Sequence, residues 1–152
     1  MTGHFEISER AVIPAPVERV WEVVSDTGRY AEWVAAVLEV IDHHGTAEVG
    51  KTYSERNRTL GPLTTRSVWT VREIEPLRRR VDTGIGFEPL REMTNIFEFR
   101  PVDGGTEMTY AVRYRIGFGF IGPWLHRIVQ PGTRQGMRTS MSNLTDLIIA
   151  EG

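Results

Sequence analysis

Apolar and polar residues alternate at the start of the chain, and the period then changes. The apolar members of the alternating segment are Phe5, Ile7, Ala11 and Ile13. A period of two predicts a half-buried β-strand, which the Pro14-Ala15-Pro16 sequence would end. Helical spacing follows at Val17, Val20, Trp21 and Val24. A second short helix is predicted over residues 26–33, with Tyr30, Trp33, Val34 and Val37 at spacings of three or four. The pattern therefore predicts one strand followed by two short helices.

The middle of the chain has the texture of an antiparallel sheet. From residue 37 to residue 119 it is rich in β-branched and aromatic residues, with Gly, Pro, Asp and Asn between the runs. Such runs are typical of strands, and the residues between them are typical of turns. We predict six further strands, over residues 38–43, 51–58, 63–74, 79–84, 91–100 and 106–118. Asp103-Gly104-Gly105 before the last strand is a hairpin signal.

Helical spacing returns after residue 121. Met137, Met141, Leu144 and Ile148 predict a long C-terminal helix. A shorter helix is predicted before it from the spacing of Trp124, Leu125, Ile128 and Val129. Pro131-Gly132 is expected to separate the two helices, because proline removes a backbone donor and often begins a helix. Residues 117–122, which carry spaced glycines, are interpreted as a flexible apolar gate.

Composition narrows the class of protein. The chain has 152 residues, 40% of them hydrophobic and 25% charged, which is the range of one globular domain. Its 18 Lys and Arg against 20 Asp and Glu give no basic field of the kind that attracts nucleic acid, so we predict no nucleic-acid partner. The absence of cysteine excludes a disulfide framework and a cysteine nucleophile. Without a signal-peptide pattern or a run of about 20 apolar residues, we expect a cytoplasmic protein with no integral membrane segment.

Several local motifs occur in a characteristic order along the chain. They are Ile13-Pro14-Ala15-Pro16-Val17-Glu18-Arg19-Val20-Trp21 at the first strand-to-helix junction, Ser25-Asp26 followed by Tyr30 and Trp33, Glu75-Pro76 after the long strand, and Gly104-Gly105-Thr106 at the late hairpin. Together with the order of elements, they resemble the polyketide cyclase/dehydrase-like group of the START-like, or SRPBCC, superfamily. The resemblance covers the whole chain as one domain over residues 1–152.

This resemblance implies an α+β helix-grip fold. In that fold a curved seven-stranded antiparallel sheet wraps around a long C-terminal helix, with two short helices after strand one and an apolar cavity between sheet and helix. The superfamily contains lipid carriers, hormone receptors, aromatase/cyclases and chaperone activators, so the fold leaves the function open.

One face of the predicted sheet is aromatic. If the strands alternate, its side chains are Trp69, Phe97, Phe99, Tyr110 and Tyr114, with Met137 and Met141 opposite them on the helix. Arginines of the other parity mark the face that meets water. Such a wall serves either as core packing or as the lining of a ligand cavity. Tyr30 and Trp33 on the second short helix form either a rim of that cavity or a plug of aromatic packing.

Three polar residues are candidates for chemistry. Glu9 has the parity of the buried positions, so it is either a functional carboxylate or a residue near an open strand end. Tyr53, which shares a face with Glu55 and Asn57, is a candidate proton donor. Arg66, like Arg58, would neutralise an enolate or carboxylate if it turned inward, as in cyclase-like relatives that use an arginine with tyrosines. The alternative for both arginines is a solvated sheet face.

Other polar candidates concern binding. Asn95 shares parity with Phe97 and either orients a ligand carbonyl or satisfies the backbone at a bulge. His126, close to Trp124, is either a general base at the cavity rim or a surface residue. His43 and His44 point to opposite sides of a strand and cannot chelate one metal. We predict no metal and no cofactor, since phosphate-loop, nucleophile-elbow and zinc-protease motifs do not occur.

The sequence is compatible with three functions. The leading hypothesis is binding of a small apolar or aromatic ligand, such as a polyketide, lipid or isoprenoid, without covalent chemistry. The alternative is a polyketide cyclase, aromatase or dehydratase in which Tyr53, Arg66 or Glu9 handles charge and protons. The third is an interaction protein with a collapsed cavity that acts through residues 117–128. A homodimer is compatible with all three.

Overall fold

The computed structural model describes residues 3–58, 62–117 and 119–152. In chain order its elements are β1 (Gly3–Ile13), α1 (Val17–Ser25), a 3₁₀ turn (Thr27–Arg29), α2 (Tyr30–Trp33), β2 (Val37–Asp42), β3 (Thr52–Arg58), β4 (Thr64–Glu75), β5 (Arg79–Ile85), β6 (Leu90–Val102), β7 (Gly105–Ile116), a second 3₁₀ turn (Gly119–Ile121) and α3 (Gly122–Glu151). The predicted strands are confirmed with small shifts at their ends. Phe118, which was predicted to end the last strand, lies outside the described residues.

The seven strands form one antiparallel sheet in the order β1-β7-β6-β5-β4-β3-β2. Antiparallel partners share a face of the sheet, so the register identifies the concave side. One row across it is Val71, Asp82, Asn95, Val112 and Ile7. Helix α3 packs against β1, β7 and α2. The helix-grip α+β fold is therefore confirmed.

Helix α1 contributes to the core through one apolar stripe. Val17, Val20 and Val24 are buried, whereas Trp21 is half-buried and meets the ring of Phe99 edge-on at 5.5 Å between centroids. The helix begins directly after Pro16, which occupies the N-cap position, where proline's missing N–H is no disadvantage. Arg19 of the same helix donates a hydrogen bond of 2.6 Å to Glu151 near the end of α3.

The predicted break at Pro131-Gly132 is wrong, because both residues lie inside the single helix α3. A proline leaves the carbonyl four residues earlier, that of Arg127, without its helical partner. Arg127, Pro131 and Gly132 lie on an exposed part of the helix, where the Arg127 carbonyl can bond to water. The position does mark a change in packing. Before Met137 only Gly122 is buried, whereas the second half buries Met137, Ser140, Met141, Leu144 and Ile148.

None of the helices within residues 3–58, 62–117 and 119–152 combines the length and the apolar character needed to cross a membrane.

Candidate functional site

A buried ion pair lies at the middle of the concave face. Arg80 and Asp82, two residues apart on β5, are both 0% exposed. Arg80 Nε donates to Asp82 Oδ1 at 3.0 Å, and Nη2 contacts the other carboxylate oxygen. Nη1 donates to the carbonyl of Val24 at 2.9 Å, and Nη2 donates to the hydroxyl of Tyr30. Arg80 thus connects the central strand to α1 and α2 through charge-assisted hydrogen bonds.

Tyr53 belongs to the same network. Its hydroxyl donates to Asp82 Oδ2 at 2.5 Å, and its ring lies 5.2 Å from that of Tyr30. Burial raises the pKa of Tyr53 well above its ordinary value, and burial raises that of Tyr30 as well. Both phenols therefore stay protonated at physiological pH. The Tyr53 proton, predicted to serve a ligand, is engaged by Asp82.

Glu55 is the less constrained polar group of the cluster. It is 5% exposed, and its Oε1 accepts a hydrogen bond of 2.8 Å from Trp69 Nε1 and one of 3.5 Å from Ser67 Oγ. Ser67 Oγ in turn accepts from Asn57 Nδ2 at 2.7 Å. The other carboxyl oxygen, Oε2, is buried and has no hydrogen-bond partner among the described residues. Burial raises the pKa of Glu55 to about 7, so the carboxyl exchanges its proton near neutral pH.

Aromatic rings surround this cluster. Neighbouring ring centroids lie 5.2 to 6.5 Å apart along the series Trp33, Tyr30, Tyr53, Trp69 and Phe87. Phe97 adds contacts to Trp33 at 6.2 Å and to Tyr110 at 4.9 Å. Trp33 is 1% exposed, and its Nε1 is a second buried polar atom without a partner among the described residues. The wall is thus apolar, with two polar atoms that are unused.

The predicted binding residues fall into two groups by position. Those that share the buried concave side are Tyr30, Trp33, Trp69, Phe97, Phe99, Tyr110 and Tyr114, together with Met137 and Met141 of α3. Asn95 is half-buried on the same face, in the row between Asp82 and Val112. Trp124 is different, because 62% of it is exposed at the start of α3.

His126 contacts the end of the wall. Its Nδ1 and the Tyr114 hydroxyl are 2.5 Å apart, and its ring stacks on Phe5 at 4.4 Å between centroids. Burial lowers the pKa of His126, and the charge of Arg134 lowers it further. The neutral form of the ring is therefore favoured. Through its contacts with Phe5 and Tyr114, His126 joins the first half of α3 to β1 and β7.

The structure places Glu9 and Arg66 away from Tyr53. Glu9 lies within 3.1 Å of Arg134 Nη1 and 2.9 Å of Arg138 Nη2. Burial opposes its ionisation, but the two arginines outweigh this and lower its pKa, so Glu9 anchors α3 to β1. The Arg66 side chain is 62% exposed and lies 3.7 Å from Asp42 on the solvated face. The inward arginine is Arg80 instead, since Arg66 has the opposite strand parity to Tyr53 and Trp69.

The sequence analysis did not identify Arg80 and Asp82 as candidate site residues, although their alternation along β5 could have indicated them. Arg80, Asp82 and Gly84 alternate along one face of β5, the strand at the centre of the sheet. A glycine is needed at position 84 on the same face, because a Cβ there would lie 2.7 Å from a ring carbon of Trp69. The glycine lets the indole lie against the neighbouring strand, where its Nε1 reaches Glu55.

Two clefts formed by described residues lie away from the Glu55 cluster. One of about 550 Å³ is lined by charged side chains such as Arg79, Glu98 and Arg100 at the convex side. The other, of about 320 Å³, lies at the rim between Pro14–Pro16 and Gly104–Gly105. No group of three or more metal-ligating side chains occurs within the described ranges. The apolar cavity expected between the sheet and α3 stays a prediction.

Similarity to known proteins extends over nearly the whole chain. The sequence model of a family described as polyketide cyclase / dehydrase and lipid transport matches residues 4–148. No curated protein matches. Among solved structures, TTHA0849 from Thermus thermophilus is 18% identical, with a TM-score of 0.79 over 97% of this chain and 99% of that one.

Two further structures show the same fold. Protein CV1439 from Chromobacterium violaceum is 20% identical, with a TM-score of 0.73 over 94% of this chain and 96% of that one. Ara h 8.0201 is 14% identical, with a TM-score of 0.71 over 97% and 99%. At these identities the likeness concerns the fold alone.

Proposed function

The chain belongs to the family of polyketide cyclase / dehydrase and lipid-transport proteins, and from that premise we propose that it binds a small apolar or aromatic molecule between the sheet and α3. The observation that carries the proposal is Glu55 Oε2, a carboxyl oxygen buried in an aromatic wall without a hydrogen-bond partner among the described residues. A ligand that covers this oxygen with a donor satisfies it.

The energetics favour a ligand with one polar end. A buried polar group that is left unpaired costs about 1–3 kcal/mol, so a hydroxyl donated to Glu55 Oε2 recovers a comparable amount. The rest of the ligand meets Trp69, Tyr53 and Tyr110, whose rings reward apolar and aromatic surface. Trp33 Nε1 offers a donor to a carbonyl or ether oxygen. We therefore propose a polyketide, lipid or isoprenoid that carries a hydroxyl or enol.

Adaptable side chains support binding at this place. Met93, Met137 and Met141 are buried on the inner side, and methionine adjusts its shape to irregular surfaces. The first half of α3 is mostly exposed or half-buried, so it holds to the sheet less firmly than the second half. A ligand then makes room by displacing flexible side chains and not by unfolding the sheet.

A pair of matched probes tests the proposal. Naphthol donates a hydrogen bond, whereas methoxynaphthalene has the same ring system and only accepts. At about pH 8, above the Glu55 pKa of about 7, the carboxylate only accepts hydrogen bonds. We expect the protein to bind naphthol about tenfold more tightly under this condition, as measured by quenching of tryptophan fluorescence, because the carboxylate accepts one additional hydrogen bond. Native mass spectrometry of protein purified without detergent then identifies the natural molecule.

Glu55→Gln provides the decisive variant. Trp69 Nε1 holds the amide oxygen, so the amide N–H₂ takes the position of Oε2 and donates to either probe. The preference for naphthol is expected to fall to about twofold or less. The matched control is Glu98→Gln, an exposed carboxylate on the convex face, which should keep the full preference. Equal binding of both probes by the wild-type protein would exclude Glu55 as the polar anchor.

A second candidate function is supported by the Glu55 pKa of about 7. A carboxyl that exchanges its proton near neutral pH suits general acid–base catalysis, as in a cyclase or dehydratase. Glu55 Oε2 would take the proton from a carbon beside a carbonyl, leaving the electron pair in the enolate, and would return the proton afterwards. Arg80 is unsuited to hold the enolate, because its donors already serve Asp82, Val24 and Tyr30.

Hydrogen–deuterium exchange separates the two candidates. Benzoylacetone carries an acidic carbon between two carbonyls, and NMR follows its exchange in deuterated buffer. An enzyme should accelerate this exchange, and Glu55→Gln should abolish the acceleration while benzoylacetone still quenches fluorescence. A carrier binds the probe without accelerating exchange. A cytoplasmic location, the lack of a nucleic-acid partner and the pairing of two chains stay predictions from the sequence.

A further inference from the structure

Exposed apolar side chains concentrate at one end of the molecule. Phe120, Trp124 and Ile128 are 93%, 62% and 56% exposed. They recur every four residues, from the 3₁₀ turn after β7 into α3, so they lie along one side of this segment. We call these three residues the apolar ridge. Ile85, which is 70% exposed at the end of β5, lies at the same end of the sheet.

The sequence around the ridge lacks acidic residues. From residue 108 to residue 145 it contains five arginines and no aspartate or glutamate. Four of these arginines pair with glutamates of other segments, namely Arg113 with Glu6, Arg115 with Glu92, and Arg134 and Arg138 with Glu9. Arg127 is exposed beside Trp124 and Ile128, and no ion pair joins it to a described residue. The ridge therefore combines aromatic surface with a free positive charge.

We infer that the apolar ridge docks on an anionic lipid surface. Tryptophan and phenylalanine favour the interface between headgroups and acyl chains, and a neighbouring arginine is attracted to anionic headgroups. A second copy of the chain fits less well, because a two-fold contact through the ridge brings Arg127 close to its own copy. The inference stands apart from the proposed ligand, since it uses only the outer surface of α3 and its preceding turn.

Vesicle sedimentation tests this inference. Vesicles of phosphatidylcholine alone are compared with vesicles of phosphatidylcholine and phosphatidylglycerol. We expect binding to the anionic vesicles and a loss of binding at high salt. Brominated acyl chains should quench the fluorescence of the wild-type protein and not that of Trp124→Phe, because the other three tryptophans are buried or half-buried.

Surface variants give the matched comparison. Phe120→Ser with Trp124→Ser should lower the partition coefficient at least about tenfold, since two aromatic side chains leave the interface. Arg127→Gln should lower it about fivefold on anionic vesicles. The control is Val49→Ser with Ile149→Ser, two residues of similar exposure, 62% and 60%, away from the ridge. Circular dichroism checks that every variant is folded.

Several results would overturn the inference. One is the absence of binding to either kind of vesicle, and another is equal binding to both. A third is equal loss of binding in the control double variant. The last is a concentration-dependent dimer that the ridge substitutions dissociate while vesicle binding is absent, which would assign the ridge to a second copy of the chain.

Discussion

Replacing Arg80 with methionine removes one half of the ion pair at the centre of the sheet. Asp82 then keeps the hydrogen bond from Tyr53 but loses both bonds from Arg80, and the carbonyl of Val24 loses its donor. Breaking a buried ion pair costs about 3–5 kcal/mol, because the remaining charge is left in a site that excludes water. For a domain of this size, where 1 kcal/mol shifts the melting temperature by about 2–4 °C, that temperature should fall by about 6–20 °C.

Urea unfolding followed by circular dichroism and fluorescence measures the change in the free energy of unfolding. The matched control is Arg78→Met, two residues away, whose side chain is 77% exposed and lies 3.6 Å from Glu75. Its effect should stay below about 1 kcal/mol. Combining Arg80→Met with Asp82→Leu should recover part of the loss, because no single charge is left buried. A change for Arg80→Met as small as that for Arg78→Met would refute this account of the network.

Three further predictions concern pH and packing. The pKa of Glu55 is raised to about 7 in the folded state, so its contribution to stability is fully present at acidic pH and is lost as the pH rises towards about 7. Over this range the free energy of unfolding of the wild-type protein should fall by up to about 3 kcal/mol relative to that of Glu55→Gln. The pKa of His126 is lowered, so its contribution is present above the ordinary histidine pKa and is lost on acidification; His126→Gln should show a smaller loss in the same urea titrations. Gly84→Ala should destabilise the protein by about 1–3 kcal/mol, because a Cβ would lie 2.7 Å from the Trp69 ring. In contrast, Gly132→Ala, with nothing within 4 Å, should stabilise α3 by about 1 kcal/mol, and equal effects at the two glycines in thermal unfolding would contradict the packing argument.

Local patterns were sufficient for the strands. Phe5, Ile7 and Ile13 show the period of two, and Asp103-Gly104-Gly105 defines the hairpin that pairs β6 with β7. The inward parity of Trp69, Tyr110 and Tyr114 follows from the same alternation and is confirmed by their burial. Local patterns were not sufficient for helix α3. Whether a proline ends a helix or is tolerated inside it depends on exposure around Pro131, which the pattern does not give.

The inward arginine depended on information that alternation does not contain. Arg78, Arg79 and Arg80 are adjacent, and only the pairing of β5 with its neighbours decides which one turns inward. An irregularity in the pairing of β4 with β5, between Val71 and Glu73, shifts the register just before this point. Because a shift of one residue exchanges the two faces of a strand, the alternation along β4 does not determine which of these arginines points inward.

The buried polar groups differ in whether their hydrogen bonds are satisfied within the protein. Arg80, Asp82, Tyr30 and Tyr53 satisfy each other, so adding a ligand donor or acceptor there would displace a bond already made. Glu55 differs, because Trp69 and Ser67 both use one oxygen and leave the other unpartnered. A fully satisfied network rigidifies its surroundings, whereas an unsatisfied group gains most from a new partner. The first set therefore holds β5, α1 and α2 in place, and Glu55 is where binding specificity should be altered by mutation.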